Sequence, residues 1–178
     1  MRQHPLELTC VPQKVDRVVK TFCADVAAGM RPVYVPVQVE PDAQPLECYG
    51  NVASLVSRAG GEAVHGWAIW TIPQILIEAE HHAVWRSPSG TLIDPTPHDP
   101  PSDSILFLPD PTAIFTGRSI DRRRKALTPD PLVAHLIARA EARARIEASV
   151  RPGQEISIPK QVYADLWIGD PDFGRSIR

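Results

Sequence analysis

The chain has 178 residues, 43% of them hydrophobic, with 19 basic and 21 acidic side chains and a formal net charge of -2. That length suits one domain, or one domain with an appendage, and is enough to bury a sizeable core. The near-neutral balance excludes a global pull toward nucleic acid or an acidic membrane surface.

No apolar run nears the roughly 18 residues needed to span a bilayer. The opening "MRQHPLELTC" lacks the apolar stretch of an export signal. A cytoplasmic location with no membrane association is the expectation. The three cysteines, Cys10, Cys23 and Cys48, include no CxxC pair. Reduced thiols are therefore expected, with neither a disulfide framework nor a zinc ribbon. The 19 prolines cluster between periodic segments and read as punctuation.

In chain order, residues 13–29 place Val15, Val18, Val19, Phe22 and Val26 at helical spacing, with Gly29 as a stop. Val33, Val35, Val37 and Val39 alternate as in a strand, and Pro36 within it predicts a sheet edge. "CYGNVASLVSRAGG" reads as a helix with Cys48, Val52, Leu55, Val56 and Ala59 on one face, ending at Gly60-Gly61. Three strands follow, "VHGWAIW", "ILIEAEHHAVW" and "TLIDPTP", the last two joined by the turn "SPSG" as a hairpin. "SILFLPD" at 104–110 adds one more strand.

The character then changes to polar and basic over residues 116–131. A helix capped by Asp130-Pro131 carries Leu132, Leu136, Ile137 and Ala140 on one side. The last stretch reads as an arm packing through Trp167 and Phe173. A core domain over 1–118 is thus expected, followed over 119–178 by a basic linker, a helix and an arm that pack on it. The fold class is α+β, a helix packed on an antiparallel sheet with a C-terminal helical extension.

Three of these elements carry a chemical pattern. A cysteine at a helix N-terminus gains thiolate character from the first-turn amides and the helix dipole, and those amides can also receive an oxyanion. Such a thiolate works with a histidine that takes and returns the proton, and with a third group that holds the imidazole. Here Cys48 opens a helix, a later strand carries His82, and the next strand, one turn on, carries Asp94. Antiparallel neighbours can set His82 beside Asp94, and a helix packed on that sheet can bring Cys48 to His82.

The run "ECYGN…GGEAVHGWAIW…HHAVWRSPSGTLIDPTP", about residues 46–97, resembles the core of the transglutaminase-like branch of the papain-like thiol enzymes. The resemblance implies a Cys-His-Asp site with Cys48 as nucleophile, His82 as base and Asp94 as orienting carboxylate. His82 is preferred to His81 because it directly precedes Ala83. Tyr49 stands where the family often has tryptophan, and Val84 separates Ala83 from Trp85. Gln44 is the nearest candidate for the family's oxyanion glutamine.

Asn51, His65, Trp67 and His81 are further candidates for lining the pocket; the simpler readings are a bond to a neighbouring loop for Asn51, a surface place at a strand end for His65, the core for Trp67, and the core or the surface for His81. Glu78 and Glu80 read as solvated strand charges. "RRRK" at 122–125, together with the mixed charges of the following helix, reads as a solvated face and not a nucleic-acid patch.

The expected function is a cysteine-dependent hydrolase or acyltransferase acting on a peptide, amide or related acyl substrate, with no cofactor and no metal. Two alternatives stay open. One is a metal site drawn from His65, His81, His82, Glu78 and Asp94, with Cys48 as a further candidate ligand; the other is a catalytically inactive binding module.

Overall fold

The computed structural model describes residues 9–149. Among them the chain forms three helices and an open antiparallel sheet of six strands, an α+β arrangement. In order these are α1 (Arg17–Val26), β1 (Val33–Pro36), α2 (Cys48–Ala59), β2 (Glu62–Ile72), β3 (Leu76–Arg86), β4 (Leu92–Ile93), β5 (Ser104–Pro109), β6 (Arg123–Ala126) and α3 (Pro131–Ser149). The sheet runs β1-β5-β2-β3-β4, with β6 also paired to β3.

Two compact units divide the chain, Met1–Leu127 and Thr128–Arg178, so the first continues past the expected boundary at 118. The reason is β6. The stretch "RRRK", read as a solvated linker, adds a strand to the sheet, with Arg123 opposite Ala79 and Ala126 opposite Leu76. α3 belongs to the second unit, and its Leu132 and Leu136 are exposed. The expected arm with Trp167 and Phe173 lies outside the described residues.

β2 and β3 form one hairpin whose register runs from Ile72 opposite Leu76 to Glu62 opposite Arg86. β5 is buried on both sides, with Ile105, Leu106, Phe107 and Leu108 all at 0% exposure. Each such side chain contributes roughly 1.5–3 kcal/mol relative to leaving it in water, which makes β5 the anchor of the sheet. On one face α1 packs Val19, Phe22 and Cys23 against Trp67, Ile69, Ile77, Leu106 and Leu108. Its N-cap is Asp16, whose carboxylate accepts from the Val19 amide at 3.0 Å. On the other face Val35, Ala68, Trp70, Val84, Ile105 and Phe107 cluster.

β1 is an edge strand, which is where Pro36 costs no ladder bond. One isolated parallel bridge, Val37 with Asp94, ties the end of β1 to the residue that follows β4. α2 stops at Gly60, and Trp85 Nε1 donates to the Gly60 carbonyl at 2.8 Å. Gly61 has φ +81°, and a Cβ there would run into the Arg86 carbonyl, so the turn from α2 into β2 requires glycine.

Candidate active site

Cys48 is the first residue of α2 and is buried. The preceding Glu47 makes no side-chain cap, so no carboxylate from that position covers the first-turn amides. Leu46, just before it, has φ +66° and is 87% exposed, an apolar side chain held in a left-handed conformation at the mouth of the helix.

Asn51, one turn into α2, holds this approach in place. Its amide donates to the Gln44 carbonyl at 2.8 Å and its Oδ1 accepts from the Gln44 amide at 3.0 Å. The same Nδ2 reaches Thr96 Oγ1 at 3.2 Å. Asn51 thus does what the sequence reading gave as its simpler role, bonding a neighbouring loop, and it links that loop to the segment after β4.

His82 lies in β3 opposite Gly66. The β3–β4 register, with Trp85 opposite Ile93, continues to put Asp94 across from Val84. That places Asp94 diagonal to His82 on the same face of the sheet, within reach of a long side chain. The contact forms: His82 Nε2 donates to Asp94 Oδ2 at 2.9 Å, with Asp94 at 0% exposure. Asp94 is itself clamped by backbone, its N–H donating to the Pro36 carbonyl and its carbonyl accepting from the Gln38 amide, both at 2.9 Å. With Nε2 on Asp94, Nδ1 is the ring nitrogen His82 has left, and Cys48 stands near enough to help raise the His82 pKa. Cys48, His82 and Asp94, 46 positions apart from first to last in the sequence, therefore lie in order, Cys48 near His82 and His82 bonded to Asp94.

Burial works against a charged His82. The Asp94 carboxylate beside it, reinforced by the hydrogen bonds to Asp94 and Cys48, outweighs that and raises its pKa to about 10. Burial alone would raise Asp94; the His82 and His98 imidazoles hold it well below the usual carboxylate range.

His98 was not among the residues singled out from the sequence. Its Nε2 donates to the same Asp94 Oδ2 at 2.7 Å, and the Thr96 amide donates to Oδ1 at 2.9 Å. It sits in "DPTPHD", a proline-rich stretch that reads as a loop, and its spacing of four from Asp94 is the one signal that could have found it. His82, Asp94 and His98 offer ligand atoms all within 4.8 Å of one another, a set able to hold a metal ion.

The other predicted residues sit apart from this chain of contacts. His81 faces the opposite side of β3 and is a buried core histidine, Nε2 donating to the Ala113 carbonyl at 2.7 Å and Nδ1 accepting from the Ile120 amide at 3.0 Å. Trp67 is buried, its Nε1 donating to Asp110 at 2.9 Å. His65 lies within β2, half-buried, instead of at a strand end; burial first, and His81 second, lower its pKa. Gln44 is exposed, and its side-chain amide donates to the Asp42 carbonyl at 3.2 Å.

Glu78 and Glu80 are not solvated charges. Arg122 reaches both and Arg124 reaches Glu78, while Trp70 Nε1 donates to Glu80 at 3.0 Å. Tyr49 stacks on Phe115 with centroids 3.8 Å apart and leans on His81 at 5.3 Å. Its buried hydroxyl lies near Cys48 and Ser119 without a well-formed hydrogen bond, and burial pushes the phenol pKa up.

No family model, curated protein or solved structure matches this chain. Among the described residues no helix is long and apolar enough to cross a membrane.

Proposed function

We propose that the protein is a cysteine-dependent hydrolase or acyltransferase acting on an amide or related acyl bond, on a core of the papain-like, transglutaminase-like type. The single observation that carries this reading is the buried His82–Asp94 bond with Cys48, the first residue of a helix, near the same imidazole. In the reaction the Cys48 proton already rests on His82 Nδ1, in line with the raised His82 pKa, and the Cys48 thiolate attacks the acyl carbonyl carbon. The carbonyl electrons move onto oxygen, where the first amides of α2 receive them. Collapse of the tetrahedral adduct expels the amine, which takes the proton from His82 and leaves a thioester on Cys48. Water or a second amine then attacks the thioester, giving its proton to His82, and the thiolate is restored. Asp94 keeps the imidazole in the tautomer that both steps need. A reducing, cytoplasmic setting suits the three free cysteines.

Iodoacetamide labelling read by mass spectrometry tests this, because Cys10 and Cys23 serve as internal references. Cys10 is exposed and serves as the accessible reference; Cys23 is buried, and its pKa is pushed up to about 11 by that burial. At pH 6.5, Cys48 is expected to be labelled at least about tenfold faster than Cys10, and this advantage is expected to vanish in His82→Ala. A Cys48 no faster than Cys10 would sink the reading and favour a non-catalytic binding module.

A second reading is favoured by the convergence of His82, Asp94 and His98, which is a three-ligand set of the kind that holds a catalytic divalent metal. Two members of the originally expected ligand set, Glu78 and His81, are already committed to other partners. One zinc per chain in purified protein, lost in His98→Gln, would support it; metal-free protein with a fast Cys48 would not.

A further inference from the structure

We propose that His98 is a positioning residue that acts through Asp94, locking the carboxylate so that His82 presents Nδ1 to Cys48. This rests on the thiol reading of the site.

A carboxylate on a short side chain turns easily about its last bond, because that torsion is broad and nearly two-fold. An Asp94 held by His82 alone could exchange its oxygens or tilt, and His82 would tilt with it. Instead the Thr96 amide holds Oδ1 at 2.9 Å, while His82 at 2.9 Å and His98 at 2.7 Å both hold Oδ2. Turning the carboxylate would break charge-assisted bonds on both oxygens at once. The acceptor also dictates the tautomer: an imidazole facing Asp94 with Nε2 must carry its proton there.

His98 is fixed in turn. Pro95 and Pro97 on either side of Thr96 restrict the backbone that returns the ring to Asp94. The ring packs against Trp70 at 5.3 Å and lies 5.7 Å from His82. The His98 side chain is 11% exposed, against 0% for the Asp94 it holds.

Two variants separate the N–H from the ring. His98→Phe keeps a ring against Trp70 and removes the donor; His98→Gln keeps a donor that reaches the same oxygen. His98→Ala replaces the phenylalanine variant should circular dichroism show that it does not fold. The iodoacetamide rate at Cys48 is expected to fall about tenfold in His98→Phe, the range for losing one hydrogen bond to a buried charge, and to return to within about threefold of wild type in His98→Gln. The Cys10 rate should not move in either. A His98→Phe protein labelled at the wild-type rate overturns the proposal.

Proton NMR of the downfield imidazole N–H signals reads the same point without any thiol chemistry. The His82 Nε2–H signal, assigned by its absence in His82→Ala, is expected to persist in His98→Gln and to broaden or vanish in His98→Phe. If Cys48 proves no faster than Cys10 in wild type, the thiol reading has failed by itself. An unchanged His82 signal in His98→Phe would then overturn the positioning role separately.

Discussion

Asp94→Ala is expected to lower stability by about 3–5 kcal/mol, the cost of stripping the partner from a buried charged group. The size follows from the surroundings. Asp94 is at 0% exposure and takes hydrogen bonds from His82, His98 and the Thr96 amide, so its removal leaves two imidazole N–H groups and one backbone N–H facing a void. Asp94→Asn keeps the volume but puts an amide where two donors need a carboxylate, and should cost less than alanine yet abolish the fast labelling of Cys48. Urea denaturation with matched m-values would measure both; a loss under about 1 kcal/mol for alanine would mean that the site is far wetter than its burial indicates.

The same pair sets a pH dependence. His82 has its pKa raised from the ordinary 6.5 to about 10, so its contribution is complete below 6.5 and is lost as pH rises toward 10. Asp94 is held below the ordinary 3.8, so its contribution is complete above about 4 and is lost as pH falls further. Thermal stability should therefore be highest between about pH 4 and 6.5 as far as this pair is concerned. In Asp94→Asn the decline above pH 6.5 should flatten.

The second large effect is expected at Gly66. This residue lies between two strands, opposite His82 in β3 and opposite Pro109 in β5. A Cβ there would sit well inside contact distance of the Leu108 carbonyl oxygen, 2.9 Å from Phe107 Cζ and 3.0 Å from the Asp110 amide. Backbone cannot yield as a flexible side chain does, so Gly66→Ala must part β2 from β5, the most buried strand. A cost of about 3 kcal/mol, or a melting temperature lower by roughly 6–12 °C, is expected from overpacking at this position. Gly50→Ala is the control. It adds the same methyl on the exposed side of α2, where nothing lies within 4 Å, and should be neutral or mildly stabilising.

Where these residues sit in sequence explains what could be read there. The helix beginning at Cys48, the strand with His82 and the hairpin strand leading to Asp94 each carried a strong local signal, and their order restricted how they could meet. Pro36 pointed to the edge position of β1 because a missing N–H is tolerated there. The β2–β3 turn, by contrast, contains "PQI" and no glycine; Gln74 takes φ +64° itself, so the usual marker of a hairpin was absent. β6 was hidden because four consecutive cations look solvated until their partners are known. Those partners, Glu78 and Glu80, are on the same strand as His82 and looked equally solvated. His98 lay in a run of prolines, where loop character was evident but the return of one ring to Asp94 depends on tertiary geometry.

The clamp on Asp94 by Pro36 and Gln38 has a consequence for the chain as it is made. Cys48 leaves the ribosome well ahead of His82, Asp94 and His98, and Asp94 is fastened only when the two far edges of the sheet come together. Contacts of such separation close late, because the loop entropy must be overcome before they form. On the thiol reading proposed above, a nascent or half-folded chain would thus carry Cys48 with no neighbour to deprotonate it. Chemical hazard would be deferred until the last edge is joined, and unfolding that edge alone would silence the thiol while leaving most of the core standing.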